Sequence, residues 1–329
     1  KSMKWGLFLG LMTLLTSTAY AVESETERVR PAAVAGSWYP GEPDELAAYL
    51  DDLLDAKPRQ SEEGARPVRA LISPHAGYTF SGATAADGFR QVQGEAYRRV
   101  VVLGPAHRGW FRGMSIAEVT HYETPLGRIP LDLDAVAQLR ASDLVSVQAD
   151  AHAQEHSIEM QLPLLQRALP PGWTLLPVLV GDMDDSDYAR AANLLRPLMD
   201  EGTLVVVSSD FTHYGPRFRY LPFPHDAHTA AQLEDLDKGA LARILEKDAD
   251  GFLAYQQETG TTICGFRPIA ILLHMLSDEV TGALRTYATS GELTGDYRNS
   301  VSYMSIVFRD APRASEPQVD SENPSPAPP

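Results

Sequence analysis

Two short runs of this chain, 99–103 (RVVVL) and Thr203–Ser208 (TLVVVS), present no polar face at a period of two. A strand with water on one side alternates apolar and polar residues. These runs instead suit burial on both faces, as in the parallel centre of an α/β sheet. Comparable runs occur at 68–72 and at Thr174–Val180 (TLLPVLV), where Pro177 lacks an amide donor and predicts a bulge or an edge position. Helical periodicity fills the intervals. Segment 44–55 places Leu46, Tyr49, Leu50, Leu53 and Leu54 on one face, 81–92 is a small-residue helix, and 155–169 is amphipathic. Segment 186–199 is helical with Ser186 as its N-cap, and helices continue through 226–277 before strands near 283–289 and 300–308. This alternation predicts one α/β domain over 31–309, with a mostly parallel or mixed central sheet flanked by helices.

Charge and cysteine usage narrow the function. With 28 Lys+Arg against 44 Asp+Glu the formal charge is −16, and no basic run supplies the footprint of a nucleic-acid binder. The single cysteine, Cys264, excludes an intrachain disulfide framework and any CxxC metal or redox motif. At the amino end, Lys1 and Lys4, an apolar run over 5–15 and Ala19-Tyr20-Ala21 read as a secretory leader, 1–21. The run is too short to cross a bilayer, which needs about 20 apolar residues. The expected location is therefore extracytoplasmic, periplasmic or secreted, without membrane insertion after cleavage. Residues 310–329, rich in Pro, Ser and acids, have nothing to bury and read as a disordered tail.

Chemistry collects where strands end. Three apolar strands each run into a loop carrying histidine: Ser73-Pro74-His75-Ala76-Gly77-Tyr78, Gly104-Pro105-Ala106-His107-Arg108-Gly109, and Ser208-Ser209-Asp210-Phe211-Thr212-His213-Tyr214. Carboxyl ends of parallel strands form the ligand crevice of open α/β sheets. There His75, His107, Asp210 and His213 would meet, as a divalent metal requires. Cys264 sits in a further turn before an apolar helix at 268–276.

These loops, with Gly36-Ser37-Trp38-Tyr39-Pro40, Glu155-His156-Ser157-Ile158-Glu159 and Thr262-Ile263-Cys264-Gly265 in this order, resemble the Memo family (AmmeMemoRadiSam system protein B; mediator of cell motility). The resemblance implies a fold like that of class III extradiol dioxygenases of the LigB type. It also implies one iron or copper ion held by His75, His107 and Cys264, with His156, Asp210 and His213 lining the same pocket. Two features depart from what it implies. Thiolate replaces the carboxylate that completes a two-His facial set, so dioxygenase chemistry does not transfer automatically. Arg108 stands where the animal form carries histidine, and favours an anionic ligand.

On this reading His75, His107 and Cys264 are the metal ligands. His156 and His213 are acid/base groups, and Asp210 fixes a tautomer through a ring N–H. Tyr78 and Tyr214 are pocket walls or donors, with simple packing as the alternative. Three functions follow: oxygen-dependent oxidation of a small molecule such as a phenol; sequestration of a redox metal without turnover; or recognition of a small-molecule or peptide ligand. Two rival motifs compete. His152-Ala153-Gln154-Glu155-His156 matches the H-x-x-E-H of inverted zinc proteases, with Glu234 as third ligand, though His152 is expected to be solvated. Cys264, His213 and Asp210 have the residue types of a nucleophile triad. The pair Glu155 and Glu159, four apart, should repel unless one faces a pocket or a cation.

Overall fold

The computed structural model describes residues 26–56 and 66–311; the leader-like segment and the tail from 312 lie outside the described residues. Twelve strands are formed among the described residues. They are β1 (Val29–Arg30), β2 (Val68–Ser73), β3 (Arg99–Pro105), β4 (Met114–Ile116), β5 (His121–Thr124), β6 (Gly127–Pro130), β7 (Val145–Val147), β8 (Thr174–Val180), β9 (Thr203–Ser208), β10 (His213–Tyr214), β11 (Val280–Thr289) and β12 (Ser300–Asp310). The central sheet runs β10-β12-β2-β9-β3-β8-β4-β7, with β11 on the other side of β12. Its middle, β2-β9-β3-β8, is parallel, and antiparallel β12 and β4 flank it. A small sheet of β1, β5 and β6 lies apart.

Ten α-helices accompany the strands: α1 (Pro43–Asp55), α2 (Tyr78–Phe89), α3 (Leu133–Arg140), α4 (Ala149–Ala153), α5 (Leu162–Ala168), α6 (Asp185–Leu195), α7 (Thr229–Leu245), α8 (Ala249–Thr259), α9 (Phe266–Met275) and α10 (Ser290–Thr294). The unbroken apolar strands feed two cores. Val101, Leu103, Val205 and Val207 pack with α6, α8 and α9; Val100, Val102, Leu204 and Val206 pack with α1, α2 and α5. Both faces of β3 are therefore buried, and truncating Leu103 to Ala would cost about 2–5 kcal/mol. The result is the mixed, centrally parallel sheet with helices on both faces that the sequence predicts.

Several local expectations are corrected. Pro177 is neither bulged nor on an edge strand, because β8 lies between β3 and β4. It points to the same side as Leu175, away from β3, and β4 pairs only from Val178 onward, so the missing amide removes no ladder bond. Helix α6 begins earlier than Ser186: its N-cap is Asp184, whose amide donates to the Asp187 carboxylate at 3.2 Å. The amphipathic segment 155–169 is not one helix. Glu155 folds back to accept the amides of His156 (2.9 Å) and Ser157 (3.0 Å), which keeps those donors out of a helix. Regular α structure resumes only at α5. No helix among the described residues is long and apolar enough to cross a membrane.

Candidate metal centre

Because β2, β9 and β3 are parallel neighbours, their carboxyl ends deliver His75, Asp210 and His107 to one edge of the sheet. The loop 154–158 then lays His156 across that edge. Its approach depends on Gly104: a Cβ there would sit 2.6 Å from Ser157 Oγ, the hydroxyl that donates to Pro105 O. His75, His107 and His156 each offer a ligand atom, and these atoms lie within 4.8 Å of one another. The rings of His107 and His156 stack with centroids 4.5 Å apart, and His75 meets both edge-on. Three imidazoles so placed could hold a metal ion.

Hydrogen bonds fix which nitrogen is free. Ser208 Oγ donates to Ser157 O (2.6 Å) and accepts from Gln161 Nε2 (2.8 Å), so His75 Nδ1, 2.8 Å away, must be the donor of their bond. His75 Nε2 is left with its lone pair. His107 Nδ1 donates to Glu155 Oε1 at 3.0 Å, which likewise leaves Nε2 unprotonated. The Glu155 carboxylate also accepts the backbone amides of His107 (2.6 Å) and Arg108 (3.3 Å), and lies 3.3 Å from His156 Nδ1. One buried carboxylate thus orients the His107 imidazole and ties two loops together.

Electrostatics keep the His75 and His156 rings neutral. Burial, then the neighbouring His107, holds His75 well below the ordinary imidazole range. Burial, followed by His75 and His107, lowers His156 to about 3. Burial works to raise the Glu155 pKa, but hydrogen bonds and charge from His107 prevail and keep it below the usual carboxylate range. A neutral imidazole with Nδ1 occupied is the form that ligates a metal.

Cys264 stands beside this cluster. Its Sγ lies 3.2 Å from His75 Nε2, accepts the Asp210 amide (3.2 Å), and can donate to Asp210 O (3.6 Å). Burial and the Asp210 charge push the thiol well above its ordinary range. Gly265, the N-cap of α9, makes this approach possible, since a Cβ there would lie 2.4 Å from Ser209 Cβ.

The structure distributes the other expected residues unevenly. His213 lines the same cavity, but its Nδ1 donates to the carbonyls of Phe211 (2.9 Å) and Thr262 (3.0 Å). That arrangement does not pair it with Cys264 as a nucleophile triad requires. Asp210 also lines the cavity, yet it accepts the backbone amides of His75 (2.8 Å) and Ala76 (3.3 Å) rather than a ring N–H. It therefore shapes the loop, while Ser208 sets the tautomer. Tyr78 and Tyr214 are buried and donate to Met160 O (2.7 Å) and Phe223 O (3.1 Å); neither lines the cavity, so packing is their role. Arg108 is exposed and outside the cavity lining.

The protease reading fails on geometry. His152 is buried rather than solvated, with Nδ1 bonded to Tyr122 OH (2.8 Å) and Nε2 to Ser115 Oγ (3.1 Å). It ends its helix at α4, and Glu234 pairs with Lys238 on α7. The two acids Glu155 and Glu159 do not repel, because each has its own partners. Glu159, wholly buried, pairs with Arg30 and accepts from Ala33 N (2.8 Å), Val34 N (3.0 Å) and Tyr39 OH (2.7 Å). Sequence reasoning missed Arg30, Ser208 and Gln161; the spacing of Glu155 and Glu159 signalled only that one of these acids faces a pocket or a cation, without indicating which.

The cluster opens into a cavity of about 480 Å³ walled by Trp38, Phe80, Phe218 and Tyr303, with exposed Arg217 at its edge. Trp38 lies against His156, their ring centroids 4.4 Å apart. A larger cavity of about 530 Å³, along Pro216–His225, contains one imidazole and no carboxylate, so the smaller one is the chemical site.

Fold and site together define an α/β protein with an imidazole cluster at the carboxyl ends of parallel strands. Comparison with known proteins makes this specific. The Memo-like protein family profile matches residues 30–307. The memo-1 homolog of Caenorhabditis elegans is 37% identical over 299 residues, which covers 86% of this chain and 83% of that protein. Protein MEMO1 of Homo sapiens is 34% identical over 288 residues, covering 83% and 95%. An uncharacterized Escherichia coli K12 protein, JW3007, superposes at a TM-score of 0.47 with 17% identity, over 73% of this chain and 99% of that one. The chain belongs to the Memo-like protein family.

Proposed function

We propose that this protein holds one iron or copper ion at His75, His107 and His156 and uses it for oxygen-dependent oxidation of a small phenolic molecule. The observation that supports the metal reading is the convergence of three imidazoles, with the free nitrogen of His75 dictated by Ser208 and that of His107 by Glu155. Cys264 Sγ lies 3.2 Å from His75 Nε2 but outside the set of ligand atoms that the three imidazoles bring within 4.8 Å of one another, so it stands beside the ion rather than completing its ligand set. A redox ion would supply the one-electron and oxygen chemistry that no side chain here provides.

The chain's own residues do the rest. The aromatic walls, Trp38, Phe80, Phe218 and Tyr303, take a flat apolar ring and exclude water. His213, with Nδ1–H committed to backbone carbonyls, keeps a lone pair on Nε2 to accept a phenolic proton. The leader-like residues 1–21 support a setting outside the cytoplasm. The test is oxygen uptake by protein loaded anaerobically with iron or copper, across a panel of phenols. Uptake that requires both a phenol and His213 supports turnover. Tight metal binding with no uptake assigns the site to sequestration, and phenol binding unaffected by metal assigns it to recognition.

A further inference from the structure

Cys264 opens onto a second cavity, on the flank of the cluster. It measures about 310 Å³ and lies between the loop after β3, the end of β8 and the first turn of α9. His107 is the one residue lining both this cavity and the larger one beside it. The flank cavity has two unusual walls. Arg267 carries five N–H donors; its guanidinium bonds Asp182 Oδ1 (2.6 Å), shares a side-chain hydrogen bond with Tyr188 and lies 4.6 Å from the centroid of the Phe266 ring, yet its Nε–H is buried without an acceptor. Opposite in character is Trp110, 78% exposed, a large aromatic surface left in water. The lining also includes the bare backbone of Gly181, where a Cβ would lie 2.3 Å from Phe111 O.

We infer that this flank cavity binds a small monocarboxylate with a flat apolar body, its carboxylate on Arg267 and its body against Trp110. A guanidinium with spare donors matches a carboxylate in a forked pair, while a bare phosphate would leave the aromatic surface unused. Asp182 is the resident competitor. Its bond to Arg267 is partly exposed, 33% and 40% for the two side chains, so a ligand can displace it at low cost. The inference rests on the cavity and not on the metal reading.

The test is calorimetric titration of benzoate into the full chain, before and after chelator treatment. Saturable binding is expected in both, weakened by Arg267→Gln about tenfold or more. Asp182→Asn, which frees the guanidinium and removes a like charge, should strengthen it. A folding defect weakens binding and cannot mimic that opposite sign. Absence of saturable benzoate binding would overturn the assignment, as would equal affinity in the parent and both variants. Inorganic phosphate binding as tightly as benzoate would also refute the apolar half of the site. Binding retained after chelation separates this result from any failure of the metal proposal.

Discussion

Replacing Glu155 with Gln keeps its size and burial but exchanges one acceptor oxygen for an N–H₂ donor. Oε1 accepts His107 Nδ1, His156 N and Ser157 N, while Oε2 accepts His107 N and Arg108 N. Whichever way the amide is turned, an N–H₂ group faces at least two N–H donors. With the oxygen retained at the first position, His107 N and Arg108 N lose their acceptor; a fully buried unpaired group costs about 1–3 kcal/mol, and these part-buried amides, which water can reach, cost less. The charge that sharpens the basicity of the His107 ring is lost as well. Altered partners of metal-bound histidines typically weaken metal binding about 10–100-fold, equivalent to about 1.4–2.7 kcal/mol. Anaerobic metal titration of parent and Glu155→Gln reads the affinity, and urea unfolding reads the stability. Unchanged metal affinity in a folded Glu155→Gln protein would refute the claim that this carboxylate organises the centre.

Three further outcomes follow from the same geometry. Ser208→Ala removes the acceptor that fixes His75 Nδ1–H, so metal affinity should fall at least several-fold while thermal stability falls modestly; equal affinity would show that the tautomer is not set by Ser208. Glu159→Gln leaves Arg30 as a buried charge without its counter-ion, and a loss of about 3–5 kcal/mol in denaturant unfolding is expected; a loss below about 1 kcal/mol, the range of exposed ion pairs, would contradict the buried pairing. His152 is buried neutral, lowered by burial from 6.5 to about 4. The native state then binds fewer protons than the unfolded one between these values. Stability is therefore full above about pH 6.5 and falls, by about 3 kcal/mol at most, as the pH drops toward 4. His152→Gln should flatten that part of the unfolding profile, and an identical acid slope would remove His152 as its cause.

The architecture was legible because the strands that build its centre are buried on both faces and so carry an unmistakable composition; β3 and β9 could have no other place. Three of the site residues, His75, His107 and His213, were legible for a related reason: parallel strands send their carboxyl ends to one edge. His156 was harder to place. Its segment has helical periodicity, and only the carboxylate of Glu155 turning back on its own neighbours brings the ring into the cluster. Local hydrogen bonds of that kind leave no periodic trace. The same limit applies to Asp210, whose partners are backbone amides, and to Tyr78 and Tyr214, whose hydroxyls reach carbonyls from the core. Arg30 lies 129 residues from Glu159, and nothing at β1 announces so distant a partner.

A three-imidazole centre requires His75, His107 and His156 to converge on one ion. Elemental analysis of anaerobically loaded parent, His75→Ala, His107→Ala and His156→Ala tests it most directly, with circular dichroism confirming that each variant is folded. About one iron or copper per chain is expected in the parent, with a marked loss in each of the three variants. Full occupancy in folded His156→Ala would contradict the three-imidazole centre, and a parent that takes up no metal would contradict the centre altogether.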